Sequence, residues 1–245
     1  MTQNVFDLSG KVVLVTGASG GLGRAHARML ADSGAVLVLT DLVESAVRVV
    51  AEELGSEHTA HAHDVTDPDA WRHVVEHAVA VHGRIDGLVN NAGICRPTPF
   101  LDADPTAFEA HMSVNFYGPM HGMQAVVPHM PSGGSVVNIA SVAGLTGWPS
   151  SAAYSASKFA VRGMSRSAAR DLAPHGVRVN GVCPGAVDTD MLSQESREGR
   201  GIVASLPIPR AARPEEISAV VAFLISDASS YSTGQDFVID GGMRA

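Results

Sequence analysis

Two kinds of apolar run alternate along this chain. Residues 11–16, Lys-Val-Val-Leu-Val-Thr, make a short β-branched block with no polar face, as a strand buried on both sides requires. The block stops at a glycine cluster, Gly17 to Gly23. From Leu22 onward, Ala25, Met29 and Leu30 recur at helical spacing until Gly34 supplies a stop. A second block over 35–41 reads as another strand and completes a strand–helix–strand unit. The alternation continues with helices predicted over 44–54, 68–81, 106–130, 153–173 and 215–226, and strands over 61–65, 85–90, 135–141, 177–183 and 237–240. Seven short strands separated mostly by helices imply a doubly wound α/β domain, with a seven-stranded parallel sheet flanked by helices on both faces. No linker or charge run divides the chain, so residues 1–245 are expected to form one domain. Periodicity fails only over about 188–210, where Gly, Ser and charges mix with Met191, Leu192 and Ile202.

Charge narrows the partners. The net charge is -8 and the basic residues are dispersed, which gives no footprint for nucleic acid or an anionic membrane. The first residues lack a signal peptide's apolar stretch, and no run approaches the roughly 18 apolar residues of a membrane span. A cytoplasmic protein is expected. Cys95 and Cys183 are too few for a disulfide framework or a zinc site of their own. His58, His61 and His63 fall on one strand region with no matching carboxylate cluster on a second element, so no metal is expected.

The first candidate chemistry lies in the glycine cluster. Thr-Gly-Ala-Ser-Gly-Gly-Leu-Gly over 16–23 follows a strand and opens a helix, so backbone N–H groups and the helix dipole can face a pyrophosphate. Gly17, Ser19, Gly20, Gly21, Leu22 and Gly23 are therefore candidate cofactor contacts, although a tight turn needs glycine with no ligand present. Asp41 ends the next strand, where a carboxylate would accept bonds from ribose hydroxyls and repel a 2′-phosphate; it could instead cap the helix that follows. Gly20 and Leu42, where a basic residue might rescue the phosphate, are uncharged, so NAD is preferred over NADP. Asp64 and Val65 are expected at the end of the third strand, and Asn90, Asn91, Ala92 and Gly93 at the end of the fourth, on the same sheet edge. These amides could also simply cap sheet and helix ends.

The second lies further on. The chain has only two lysines, Lys11 and Lys158, and Lys158 follows Tyr154 by four residues, one turn along a helix. A tyrosine titrating near ~10 is a poor base at neutral pH, but a nearby ammonium and a cationic nicotinamide both favour phenolate. The same spacing would also suit a core tyrosine with a snorkelling lysine. Ser141, at the end of the fifth predicted strand, supplies a third polar group.

Taken together, Thr-Gly-x-x-x-Gly-x-Gly, Asn-Asn-Ala-Gly, Ser141, Tyr-x-x-x-Lys and Cys183-Pro184-Gly185 resemble the short-chain dehydrogenase/reductase family, over nearly the whole chain. The resemblance implies a Rossmann-type fold and a hydride transfer between NAD(H) and a secondary alcohol or ketone. In it Tyr154 moves the proton, Ser141 orients the substrate oxygen, and Lys158 holds the nicotinamide ribose and lowers the tyrosine pKa. Asn115 would hold a water in a relay to the lysine, or, on the bland view, be a polar residue bending its helix. Pro184, Gly185, Val187 and Thr189 would meet the nicotinamide end. The overall pattern looks like bacterial NAD-dependent hydroxysteroid and cyclic-alcohol dehydrogenases. The alternative is a nucleotide sensor or a non-dehydrogenase member of the same fold.

Leu145, Trp148 and Met191 flank these positions and predict an apolar pocket wall, hence a lipophilic alcohol, alicyclic or steroid-like. In the family the segment 188–210 corresponds to the loop that covers the substrate. Arg96 could bind an anionic substrate group or be a solvated loop charge. Ala153, Ala156, Ala160, Gly163 and Ser167 line the helix of the tyrosine with small side chains, and the resemblance implies a homotetramer, or a homodimer, through this helix and the last strand.

Overall fold

The computed structural model describes residues 6–245; of the N-terminal stretch read above, the first five residues lie outside the described ones. Seven strands, β1 (Val12–Thr16), β2 (Val36–Asp41), β3 (Thr59–Ala62), β4 (Gly87–Asn90), β5 (Ser135–Ile139), β6 (Arg178–Pro184) and β7 (Asp236–Ile239), form one sheet in the order β3-β2-β1-β4-β5-β6-β7. Every pairing is parallel, as the doubly wound expectation required. The chain reverses direction across the sheet between β1 and β4, and ligands of such sheets gather at the carboxyl ends of those strands.

The helices are α1 (Gly21–Asp32), α2 (Glu44–Leu54), α3 (Pro68–His82), α4 (Pro105–Met112), α5 (Gly118–Val126), α6 (Ala152–Leu172), the single turn α7 (Gln194–Arg197) and α8 (Pro214–Ile225). Strand alternation sorts the apolar blocks onto the two faces. Val13, Val15, Leu37 and Leu39 pack with Leu30, Val47, Ile217 and Val221 of α1, α2 and α8. Val12, Leu14, Val38 and Leu88 pack with Trp71, Val74, Val126 and Ala169 of α3, α5 and α6. Each fully buried aliphatic side chain of this kind contributes about 1.5–3 kcal/mol, so both faces are firmly covered. Local signals set the ends of α3: Pro68 opens it, the Asp67 carboxylate caps the Asp69 N–H, and Gly83, at φ 77°, stops it.

Two expectations are corrected. The helix read over 106–130 is interrupted by a π-turn at Ser113–Tyr117, where the Asn115 side chain bonds outside its own helix, and ends in a 3₁₀ turn over Val127–His129 that holds Pro128. The third strand ends at Ala62, so His63, Asp64 and Val65 lie beyond it. There the Asp64 carboxylate accepts the Thr66 N–H at 2.9 Å and hydroxyl at 2.8 Å and turns the chain, while the Trp71 indole donates to the Val65 carbonyl at 3.0 Å. The aperiodic stretch 188–210 holds α7 and a 3₁₀ turn over Gly201–Ser205. No helix of the described residues is long and apolar enough to cross a membrane.

Candidate active site

A cleft of about 770 Å³ runs along the carboxyl edge of the sheet. The cofactor and substrate positions read from the sequence line it, with Asn90, Arg96 and Leu145 excepted.

At one end β1 hands over to α1. The helix is capped by Gly20, which has no side chain to satisfy the first N–H groups, so these donors are left for a ligand. Gly23 is obligatory, since a Cβ there would sit 2.0 Å from the Gly17 carbonyl oxygen. Asn91 welds β4 to β1: its amide donates to the Thr16 and Gly17 carbonyls at 2.9 and 3.0 Å, and the Thr16 hydroxyl accepts the N–H groups of Asn91 and Ala92 at 3.1 Å. Asn90 turns inward instead, donating at 2.7 Å to Asn138, which donates at 2.8 Å to Ser165 of α6.

Asp41 does not cap α2, whose cap is Val43. Its carboxylate accepts the Ser19 N–H at 2.9 Å, the Ser19 hydroxyl at 2.6 Å and the Leu42 N–H at 2.8 Å, fixing the glycine turn while facing the cleft. His63 also lines this end, which the sequence reading missed. It shares a 3.0 Å bond with the Thr40 hydroxyl, packs edge-on against Trp71, and is held neutral by burial, its pKa drawn down to about 4. The uncapped donors, the glycine cradle and the Asp41 carboxylate fit a nicotinamide dinucleotide. Among the described residues no group of His, Cys, Asp or Glu has metal-holding geometry.

In the middle, β5 ends at Ile139 and Ser141 opens a 3₁₀ turn over Val142–Gly144, its Oγ accepting the Ala143 N–H at 3.1 Å. Tyr154 and Lys158 descend from α6. The Lys158 ammonium lies 5.7 Å from the Tyr154 ring centre and donates to the Ile139 carbonyl at 2.8 Å. Burial pushes the phenol up to about 12, opposed by its hydrogen bond to Ser141, and pulls the ammonium down to about 8. Asn115 sits behind: it exchanges two hydrogen bonds with the Ile94 backbone and donates at 3.0 Å to Ser157, whose hydroxyl donates to the Tyr154 carbonyl at 2.7 Å. Its side chain does not line the cleft; it braces the turn after β4 against α6.

α6 is tied at its middle as well. Arg162 donates to Gly144 and, at 2.8 Å, to Asp236 of β7, and Arg166 reaches the same carboxylate oxygen at 2.6 Å.

At the far end Trp148 and Met191 line the cleft as expected from the sequence, whereas Leu145 packs beneath it against Ala140, Val161 and Cys183. The 3₁₀ turn rotates Leu145 inward. Ile94, Cys95, Pro97, Val142, Ile202 and Met243 line this end too. Ile94 and Cys95 directly follow Asn-Asn-Ala-Gly and so were within reach of the sequence, but nothing there marked Met243. The Arg96 side chain is exposed and outside the lining, its backbone N–H donating to His111 at 3.1 Å. Arg197 of α7 clasps the segment after β6, donating to the Thr189 carbonyl and to Asp190, with Asp188 at 3.9 Å.

A family model described as "Enoyl-(Acyl carrier protein) reductase" matches residues 17–244. The chain is 41% identical over 245 residues to trans-4-hydroxycyclohexanecarboxylate dehydrogenase of Sinomonas cyclohexanicum, covering 96% of this chain and 93% of that one. It is 40% identical over 241 residues to 3-alpha-(or 20-beta)-hydroxysteroid dehydrogenase of Mycobacterium bovis, covering 97% and 91%. A solved short-chain type dehydrogenase/reductase from Mycobacterium marinum superposes with a TM-score of 0.92 at 34% identity, over 98% of each chain. A glycine turn, a serine and a Tyr-x-x-x-Lys helix converging on one cleft, in a chain this close to such relatives, place the protein in the short-chain dehydrogenase/reductase family, oxidoreductases that work with a nicotinamide cofactor.

Proposed function

We propose that the protein interconverts a lipophilic secondary alcohol, alicyclic or steroid-like, and its ketone, with NAD(H) as the hydride carrier. The observation that carries this reading is the convergence of Ser141, Tyr154 and Lys158 on the wall of the cleft whose other end holds Asp41. NAD would be held by the uncapped start of α1, by Asp41 and Asp64 on the adenosine side, and by Asn91, Pro184, Gly185, Val187 and Thr189 toward the nicotinamide; it supplies the hydride-accepting carbon.

The chain's own residues then manage the proton. The Ser141 hydroxyl orients the substrate oxygen beside the Tyr154 phenol, which gives a proton to a carbonyl or takes one from an alcohol. Burial alone makes the phenol a reluctant base, so Lys158 and the positive charge of the oxidised cofactor are what shift it toward phenolate. Lys158 would also hold the nicotinamide ribose. Asn115 supports the relay by fixing the turn at Ile94 through its side chain, and any water it holds would have to meet atoms other than those already bonded.

Cyclic alcohols are supported by the apolar lining and by the relatives' names, which include a cyclopentanol dehydrogenase at 38% identity. The preference for NAD over NADP rests on Asp41 and on the absence of any arginine among the described residues lining the cleft. Assembly as a homotetramer or homodimer through α6 and β7 belongs to the same proposal, supported by exposed Ala156, Phe159 and Gly163 on α6 and Val238 on β7. So does a cytoplasmic location, which suits the free thiols Cys95 and Cys183.

Purified protein with NAD and a panel of secondary alcohols, followed at the NADH absorbance, tests the reading. Cyclic alcohols should outperform small hydroxy acids. Firm NAD binding with no turnover of any alcohol would favour a nucleotide sensor instead. A monomer by light scattering would remove the assembly.

A further inference from the structure

Charge at the substrate end of the cleft bears on which alcohols can enter. The walls there are Ile94, Cys95, Val142, Trp148, Met191 and Met243. Among the described residues Lys158 is the only lysine or arginine in the lining; its ammonium is 4% exposed, donates to the Ile139 carbonyl and, in the reading above, serves the nicotinamide ribose. All three arginines of the covering segment are engaged: Arg197 by the Thr189 carbonyl and by Asp190 and Asp188, Arg200 by Glu198 and Arg210 by Glu216. Arg96 stands outside the lining. The carboxylate that lines the mouth, Asp190, is itself paired with Arg197 at 3.0 Å, so the rim offers an entering anion no net positive charge.

We infer that this cleft takes an uncharged alcohol or ketone and discriminates against a substrate that carries a carboxylate, an inference that rests on the dehydrogenase reading above. An ionised carboxylate entering between these walls gives up its hydration with no unengaged cation to replace it, whereas a neutral ring gains apolar contact at no such cost. The distinction separates this chain from the relative named for a hydroxycyclohexanecarboxylate, which it otherwise matches at 41% identity. The acid-binding property does not travel with that resemblance.

The test compares kcat/KM with NAD for trans-4-hydroxycyclohexanecarboxylate, its methyl ester and cyclohexanol, at a pH where the acid is ionised. The ester should exceed the acid by about tenfold or more, a ratio of the size that pocket contacts confer. Pro97→Arg, which sets a cation on the exposed rim, should narrow that ratio by about threefold, the worth of an exposed ion pair. An acid used as well as its ester would overturn the inference. So would a ratio that Pro97→Arg leaves unchanged. If calorimetry shows NAD bound but none of the three compounds is turned over, the dehydrogenase reading itself fails and takes this inference with it.

Discussion

Asn115 and Ile94 hold each other by a matched pair of bonds: the Asn115 Oδ1 accepts the Ile94 N–H at 2.9 Å, and its Nδ2 donates to the Ile94 carbonyl at 3.0 Å. The side chain therefore does for residue 94 what a neighbouring strand would do. It also explains the π-turn, since Asn115 is presented sideways from the break between α4 and α5. Asn115→Ala leaves an N–H, a carbonyl and the Ser157 hydroxyl short of a partner, and should cost about 2–4 kcal/mol of stability. Denaturant unfolding should show it, together with a fall in kcat; an unchanged midpoint would mean the clasp does not form in solution.

Lys158 should be a liability for stability. Its pKa is drawn from 10.5 to about 8 by burial, so between those values the unfolded chain binds more protons and stability rises with pH. Below pH 8 the folded protein carries the full penalty of the buried ammonium, about 3 kcal/mol at 1.36 kcal/mol per unit. Lys158→Met should raise the melting temperature at pH 7 while abolishing turnover, the net gain reduced by the lost bond to Ile139. That advantage should shrink as pH rises from 8 toward 10.5. A variant less stable than the parent at pH 7 would refute the assignment.

Lys158→Arg addresses a different property. It keeps the charge, but a guanidinium is a planar fork where the cleft offers room for a compact ammonium 4% exposed. Most turnover should be lost, with NAD still bound; near-normal activity would mean that any cation suffices.

Asp41 should control the choice of cofactor. With Asp41→Ala the repulsion of a 2′-phosphate disappears, but so do the two bonds that fix Ser19. The kcat/KM for NAD should fall and that for NADP rise, moving their ratio by about tenfold or more, the scale of one lost charge repulsion at close range. Parallel assays with the two cofactors check it.

Gly144 sets the distance between Ser141 and the tyrosine helix. A Cβ there would lie 2.6 Å from the Lys158 carbonyl oxygen and 2.7 Å from its carbon, backbone atoms that can yield only if α6 moves. Gly144→Ala should lower kcat by about a hundredfold, as misplacements near 1 Å do, with NAD affinity much less affected. Equal losses in both would point to general unfolding.

The parallel sheet was legible because strands buried on both faces read as uninterrupted apolar blocks, and the glycine turn because its spacing is dictated by contacts as close as that of Gly23 to Gly17. The π-turn was not, since helical periodicity runs through Ser113–Tyr117 with no glycine or proline inside it. The end of β3 was misplaced because His61, His63 and Val65 keep a strand-like alternation past Ala62, where only the Asp64–Thr66 bonds reveal the turn. Leu145 was assigned by nearness in sequence to Ser141, which says nothing of the direction a side chain takes after a 3₁₀ turn. Met243 reaches the cleft because β7 lies beside β6, a neighbour relation that only the assembled sheet creates.

The grip of Asp236 on Arg162 and Arg166 has a consequence for biogenesis. Since domains emerge N-terminus first, β1, β2 and β3 with Asp41 can pair while the remainder is still being made, but the helix bearing Tyr154, already bonded to Asn138 and Ile139 of β5, gains its last clamp only when residue 236 has left the ribosome. A nascent chain thus acquires its dinucleotide half before its proton-transferring half. Loss of the last ten residues, none of which carries the proton, should leave Arg162 and Arg166 without their carboxylate, loosen the middle of the Tyr154 helix and lower turnover.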